Sequence, residues 1–224
     1  MPAPAVLTGR VDELAALRDD YRRGRLDEGD VDPDPLVQLR VWLADAIGAQ
    51  VPEPTAMVLA TVGEDGRPAT RTVLCKGIDE RGLQFFTNRR SRKGVHLSAT
   101  PACAATFLWK ELERQVGVTG TARTLGDVES DAYFASRPHG SRLGAWASPQ
   151  SEVVEGGRLV LEEALAELEV RWPPGSVIPR PAHWGGYLLV PDTLEVWQGR
   201  QSRLHDRLRY RRHDGAWLVE RLAP

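Results

Sequence analysis

The sequence predicts a mainly β, single-domain protein: an antiparallel sheet, strongly curved or closed, with α-helices packed outside it. Three observations point there. Short runs rich in apolar and β-branched residues recur between turn signals from Ala56 to Ala122, and again from Gly186 to Leu222. Helical periodicity is confined to segments that flank or interrupt these runs. No internal repeat or low-complexity linker divides the 224 residues, a length that suits one well-buried core.

The elements follow in order. Residues 1–10 read as a loose tail, and residues 11–23 as a helix with Leu14, Leu17 and Tyr21 at helical spacing. Residues 25–33, rich in Asp, Glu and Gly, read as a surface connection. Residues 1–34 are therefore expected to form an N-terminal helix and connection, and residues 35–224 the main domain. Asp34 before Pro35 is an N-cap followed by proline at the first helical position, and the predicted apolar stripe is Leu36, Leu39, Leu43 and Ile47. Strands are predicted over Ala56–Val62, Ala69–Ile78 and Leu83–Thr87, with turns at Gly63–Gly66 and Asp79–Gly82. A short helix is expected over Ser91–Ser98, then strands over Cys103–Trp109 and Gln115–Ala122. Helices follow over Asp127–Ser136 and Gly157–Trp172, the latter stopped by Pro173, Pro174 and Gly175. Gly186–Val190, Thr193–Trp197, Arg207–Arg212 and Trp217–Leu222 complete the strands, with a hairpin turn at His213-Asp214-Gly215.

Composition removes several function classes. Lys and Arg number 29 and Asp and Glu 31, a net charge of -2, which argues against a general nucleic-acid binder. Positive charge is nevertheless concentrated at Arg89–Lys93 and at Arg200–Arg212, so local anion sites are expected. Cys75 and Cys103 form no CxxC pair, which suits a reducing cytoplasm. Met1–Arg10 lacks a basic region followed by an apolar stretch, and no run of about 18 apolar residues occurs, so neither a signal peptide nor a membrane span is expected. No GxxxxGK[ST], GxGxxG or GxSxG is present, and the five histidines have no metal-ligand spacing.

Four segments combine residues suited to chemistry. Arg71–Lys76 is a strand whose alternation puts Arg71 and Val73 on one face and Thr72, Leu74 and Lys76 on the other; its edge amides and carbonyls could meet a planar heterocycle, or its charges could simply be solvated. In Phe86–Lys93, hydroxyls and cations converge where a strand gives way to a helix start, an arrangement that suits a phosphate as well as a solvated basic loop. Tyr133 and Arg137 are four apart and share a helix face; with Ser141 they form either a second anion site or a polar helix face ended at Pro138. In Trp197–Arg207, the alternation of Arg203, His205 and Arg207 would put three potential cations on one face of an extended segment, which repel unless an anion or a cofactor compensates; a lone His is usually structural, but His205 between two arginines favours a ligand site.

Taken together, these segments resemble the pyridoxamine 5'-phosphate oxidase family over nearly the whole chain. The shared motifs are Glu53–Val58, Arg71–Lys76, Ser91-Arg92-Lys93, Leu112–Gln115, Ser136-Arg137-Pro138, Gly144-Ala145-Trp146, His183–Gly186, Trp197–Arg207 and Glu220–Pro224. Each is modestly specific alone; their common order is highly specific. The resemblance implies the FMN-binding split barrel, an antiparallel Greek-key barrel with flanking α-helices, and a cytoplasmic homodimer with FMN at the subunit interface. The FMN contacts it implies begin with Arg71, Val73, Leu74 and Lys76 on one strand and Phe86, Thr87, Arg92 and Lys93 at the next. Gln115, Gln150, Ser151, Trp197 and Arg207 complete them. The implied substrate contacts are Lys76, Tyr133, Arg137, Ser141, Arg203 and His205, with Arg203 and His205 at the reacting carbon.

The implied reaction is oxidation of pyridoxamine or pyridoxine 5'-phosphate to pyridoxal 5'-phosphate. Hydride passes from C4' to flavin N5, O2 is the final acceptor giving hydrogen peroxide, and imine hydrolysis releases ammonia from the amine substrate. The family's N-terminal segment, matching Arg18 and Tyr21, can fold over the site. One departure is visible: Phe86 stands where the family often carries Tyr. Two rival readings are a split-barrel redox enzyme for another substrate, and a non-catalytic carrier of flavin or pyridoxal phosphate. The joint presence of Tyr133, Arg137, Ser141, Arg203 and His205 argues against the first, and peroxide release on adding substrate separates the second.

Overall fold

The computed structural model describes residues 20–224. Nine strands form one sheet among these residues: β1 Ala56–Val62, β2 Pro68–Leu74, β3 Gly77–Asp79, β4 Gly82–Asn88, β5 Ala102–Trp109, β6 Arg114–Thr124, β7 Trp184–Gln198, β8 Asp206–His213 and β9 Ala216–Arg221. Five α-helices accompany them: α1 Pro35–Gly48, α2 Arg92–Ala99, α3 Asp127–Ser136, α4 His139–Ala147 and α5 Arg158–Arg171. The mainly β, antiparallel architecture is as expected.

The strand order explains the curvature. The path runs β2-β1-β5-β6-β7-β4-β3, with β8 and β9 branching from β7. Its two ends, β2 and β3, are consecutive in the chain, so the sheet must curl until they almost meet. Cys75 and Lys76 make the crossing: Cys75 N donates to Thr55 O on one side, and Lys76 N donates to Gln84 O on the other. Where Ala69–Ile78 is expected as one strand, the chain therefore breaks into two. The barrel stays split at this seam.

Alternation fills the curl. Met57, Leu59 and Thr61 of β1 point inward and are buried, as are Phe85, Phe107, Val116, Leu194, Val196 and Leu208 from the other strands. Helix α1 starts on Asp34, whose carboxylate accepts from Leu36 N and Val37 N. It buries Leu36, Leu39, Trp42 and Ala46, while Ile47 is 56% exposed. The buried stripe thus follows Trp42 and Ala46 rather than ending on Ile47. A second apolar group of Phe134, Leu143, Ile178 and Trp184 lies outside the barrel, with Leu165, Leu168 and Trp172 of the α5 region packed on it.

Two predicted strands are one. Strand β7 runs 15 residues straight through Pro191. The ladder to β6 shifts between Thr119 and Gly120, so that Asp192 is the extra residue of a bulge. Proline is tolerated at such a bulge, and Gly120 is needed beside it because a Cβ there would strike Val190 O. Helix α4 was not expected; Pro138, read as the end of a helix face, serves as its N-cap position. The helix predicted over residues 11–23 lies mostly outside the described residues, and Asp20–Arg23 are not helical.

Candidate active site

The seam opens into a cleft of about 830 Å³. Its first wall is the free edge of β2, Thr70–Leu74, continued by Lys76; β2 pairs with β1 alone among the described residues. The floor is Phe86–Asn88 at the end of β4, with Arg92 and Lys93 opening α2. The far wall comes from α3 and α4: Tyr133, Ser136, Arg137, Pro138 and Ser141, backed by Trp184. Gln150 and Ser151 close the end. No Asp or Glu lines this cleft among the described residues.

Cations crowd the floor without a carboxylate to balance them. Lys93 is 6% exposed, and its Nζ donates to Thr87 Oγ1 and Ser91 Oγ, both at 3.1 Å. Burial, and then the charge of Arg71, bring its ammonium down to about 8. Arg71 is lowered in turn by burial and by Arg92. Its Nη1 is anchored on Thr61 Oγ1 at 2.7 Å and Leu59 O at 3.2 Å. Thr87 Oγ1 donates to Gln150 Oε1 at 3.1 Å, which holds the Gln150 loop over this floor. Ser91 caps α2, accepting from Gly94 N. Mutually repelling cations, hydroxyls and a helix N-terminus in one place suit a phosphate group. The donor set therefore fits the phosphate of FMN.

A second group faces it from the far wall. Phe86, Tyr133 and Trp184 form a near-parallel stack, with ring centroids 4.0 Å apart for Phe86–Tyr133 and 5.7 Å for Phe86–Trp184. The Arg137 guanidinium lies 4.7 Å over the Trp184 ring, and its Nη1 is buried with no hydrogen-bond partner among the described residues. Burial lowers Arg137, against the opposing pull of Tyr133, and raises the Tyr133 phenol, against Arg137. A buried guanidinium nitrogen without a partner is costly, and an anion entering the cleft would satisfy it. Tyr133 and Arg137 thus meet in the cleft with Ser141, although Arg137 stands just past the end of α3 and Ser141 on α4.

Of the residues singled out from sequence, Arg71, Val73, Leu74, Lys76, Phe86, Thr87, Arg92 and Lys93 line the cleft, as do Tyr133, Arg137, Ser141, Gln150 and Ser151. Gln115, Trp197, Arg203, His205 and Arg207 do not. Three of these form a row instead: Gln115 pairs with Trp197 across β6 and β7, and Trp197 with Arg207 across β7 and β8. Tyr21 packs edge-on against Trp197 and His205 at 5.6 Å each. The single cationic face expected from Arg203, His205 and Arg207 is not formed. Ser202 and Arg203 have left-handed backbone, which breaks the extended alternation. Arg207 is neutralised by Glu195 at 2.8 Å, and His205 Nδ1 accepts from Arg200 N. Thr70, Thr72, Asn88, Ser136, Pro138 and Trp184 line the cleft as well, without having been expected as site residues. Trp184 had a signal, since Gly185-Gly186 beside it allows a close approach.

Fold and cleft together define the class: a split barrel with a cationic cleft at its seam that no carboxylate lines among the described residues. The sequence model "Pyridoxamine 5'-phosphate oxidase" matches residues 43–171, and "Pyridoxine 5'-phosphate oxidase C-terminal dimerisation region" matches residues 184–224. A pyridoxine/pyridoxamine 5'-phosphate oxidase of Cupriavidus pinatubonensis is 55% identical over 95% of this chain and 99% of its own. One of Thermosynechococcus vestitus is 56% identical over 94% and 99%. Among solved structures, PhzG from Burkholderia lata, in complex with tetrahydrophenazine-1-carboxylic acid, superposes with a TM-score of 0.83 at 35% identity, covering 89% of this chain and 98% of that one. The chain belongs to the pyridoxamine 5'-phosphate oxidase family.

Proposed function

We propose that this protein oxidises pyridoxamine 5'-phosphate and pyridoxine 5'-phosphate to pyridoxal 5'-phosphate, with FMN as cofactor and O2 as final acceptor, giving hydrogen peroxide. The observation that carries the reading is one carboxylate-free cleft with two cationic groups, in a chain of this family. Bound FMN would supply the two-electron acceptor. Arg71, Arg92 and Lys93 would hold its phosphate, with Thr87, Gln150 and Ser151 alongside. Val73, Leu74, Lys76 and Phe86 would contact its ring.

The substrate phosphate, with about two negative charges at neutral pH, would be held by Arg137 Nη1, Tyr133, Ser141 and Lys76. Anchoring at that end orients the pyridine ring, and orientation alone can lower a barrier by up to ~7–11 kcal/mol. Arg203 and His205 would act at the reacting carbon, and Gln115, Trp197 and Arg207 would touch the flavin, all from a second copy of the chain. Support comes from the outer sheet face: Val58 and Leu108 are 45% and 64% exposed beside Thr72, which lines both this face and the cleft. A homodimer seated there would bring the Gln115–Trp197–Arg207 row toward its partner's seam. Residues 1–34, with Arg18 and Tyr21, would serve as a cover. The cytoplasm is the compartment proposed: Cys75 and Cys103 are free thiols, and no described helix is long and apolar enough to cross a membrane.

Addition of pyridoxamine 5'-phosphate to the FMN-loaded protein in air should release hydrogen peroxide and pyridoxal 5'-phosphate together. A yellow protein that binds the substrate and releases neither would be a carrier, and the enzymatic reading would fall.

A further inference from the structure

Arg180 lies between α5 and β7, outside the cleft. Its side chain is 10% exposed, and all of its bonds lead toward the substrate wall. Nε donates to Asp131 Oδ1 at 2.5 Å, Nη2 to Asp127 Oδ1 at 2.7 Å and Nη1 to Trp184 O at 2.6 Å. Asp127 and Asp131 are one turn apart on α3, the helix that carries Tyr133 and ends at Arg137. Trp184 is the ring beneath Arg137. The segment is itself fixed at Pro179, whose carbonyl accepts from Trp146 Nε1 at 2.9 Å.

We infer that Arg180 is a positioning residue for substrate, clamping α3 to the start of β7 so that Tyr133 and Arg137 face the cleft at the spacing a phosphate needs. The inference rests on reading Tyr133 and Arg137 as ligands of the substrate phosphate. The rigid guanidinium fork spreads its donors over three acceptors on two elements, whereas the compact ammonium of lysine also has three donors but reaches a narrower set, so lysine replaces it only in part. Burial works against the charged guanidinium, but the bonds to Asp131 and Asp127 outweigh it and hold it above its ordinary range. The clamp touches neither Arg71, Arg92 nor Lys93. Its loss should therefore reach the substrate and spare the flavin.

The test uses the FMN-loaded enzyme with Arg180→Met and Arg180→Lys. Arg180→Met is expected to raise KM for pyridoxamine 5'-phosphate about tenfold, with kcat and the Kd of FMN each within about twofold. Arg180→Lys should fall between it and the wild type. In an Arg137→Ala background, Arg180→Met should raise KM by less than it does in the wild type, because Tyr133 is then the one remaining ligand of the two that the clamp positions. If Arg180→Met does not fold, Asp127→Asn with Asp131→Asn, both on the exposed side of α3, reads the same clamp and should raise KM alike. An unchanged KM, an equal loss of FMN affinity, or additive effects with Arg137→Ala would overturn the inference. Inorganic phosphate binding to the holoenzyme, measured by calorimetry, separates the two readings. A wild type that turns over no substrate refutes the proposed function, while phosphate binding that Arg180→Met leaves unweakened refutes the clamp.

Discussion

Lys93 carries the most telling electrostatics of any residue in the cleft. It is buried among hydroxyls and arginines and is brought down to about 8 from its ordinary 10.5, by burial and then by Arg71. Between those two values the folded apoprotein binds fewer protons here than the unfolded chain does. Its stability should therefore rise with pH across that window and be penalised below about pH 8. FMN binding has the opposite dependence, because the phosphate wants the charged lysine. FMN affinity of the apoprotein is expected to fall as pH rises above 8, by up to about tenfold per unit. Lys93→Met should abolish that slope and weaken binding by about 1.5–3 kcal/mol; fluorescence titration of the apoprotein from pH 6 to 10 reads both, and a slope unchanged in Lys93→Met would contradict the account. The 86–93 segment was legible because hydroxyls, cations and a helix start coincide within eight residues. Arg203–Arg207 was legible as unusual but not in its geometry. Alternation assumed an extended backbone, and residue types do not reveal that Ser202 and Arg203 turn left-handed.

At the scale of elements, the cleft depends on how closely β4 and β7 approach the helices. Phe86 pairs with Gly186 across these strands. A Cβ on Gly186 would stand 2.7 Å from the Phe86 ring and 2.6 Å from Leu125 Cδ1. Gly186→Ala should push Phe86 against Tyr133, costing about 1–3 kcal/mol of stability and raising KM for pyridoxamine 5'-phosphate. Urea denaturation and steady-state kinetics check both, and a fully stable variant with wild-type KM would show that the stack is looser than described. Most strands and the capped helices were readable from periodicity and caps. Three things were not, the first being the fusion of Gly186–Val190 and Thr193–Trp197 into β7 through the bulge at Asp192. The split of Ala69–Ile78 into β2 and β3 is imposed by the crossing at the seam, since Cys75 and Lys76 bond to opposite ends of the sheet. Helix α4 packs Leu143 against Trp184, and that tertiary contact overrides its glycines.

At the scale of the whole molecule, the one-chain structure leaves the expected site in two parts. Thirteen residues share the cleft, while Gln115, Trp197, Arg203, His205 and Arg207 cluster elsewhere. Leu108 pairs with Gln115, extending the row to Trp197 and Arg207 across four strands on the exposed face. No local pattern could show this division, because single-chain periodicity is silent on which copy supplies a residue. In the proposed twofold dimer the parts would meet, each cleft being completed by the other chain. Hybrid dimers test that directly. The Arg137→Ala and Arg203→Ala proteins should each fall well below wild-type activity. In a hybrid, one site carries both defects and the other carries neither. Random re-association of equal amounts makes half the dimers hybrids, each with one intact site in two, so activity should recover to roughly a quarter of the wild-type value. A mixture no more active than its parents, with hybrid formation verified by mass spectrometry, would place the whole site within one chain and contradict the account.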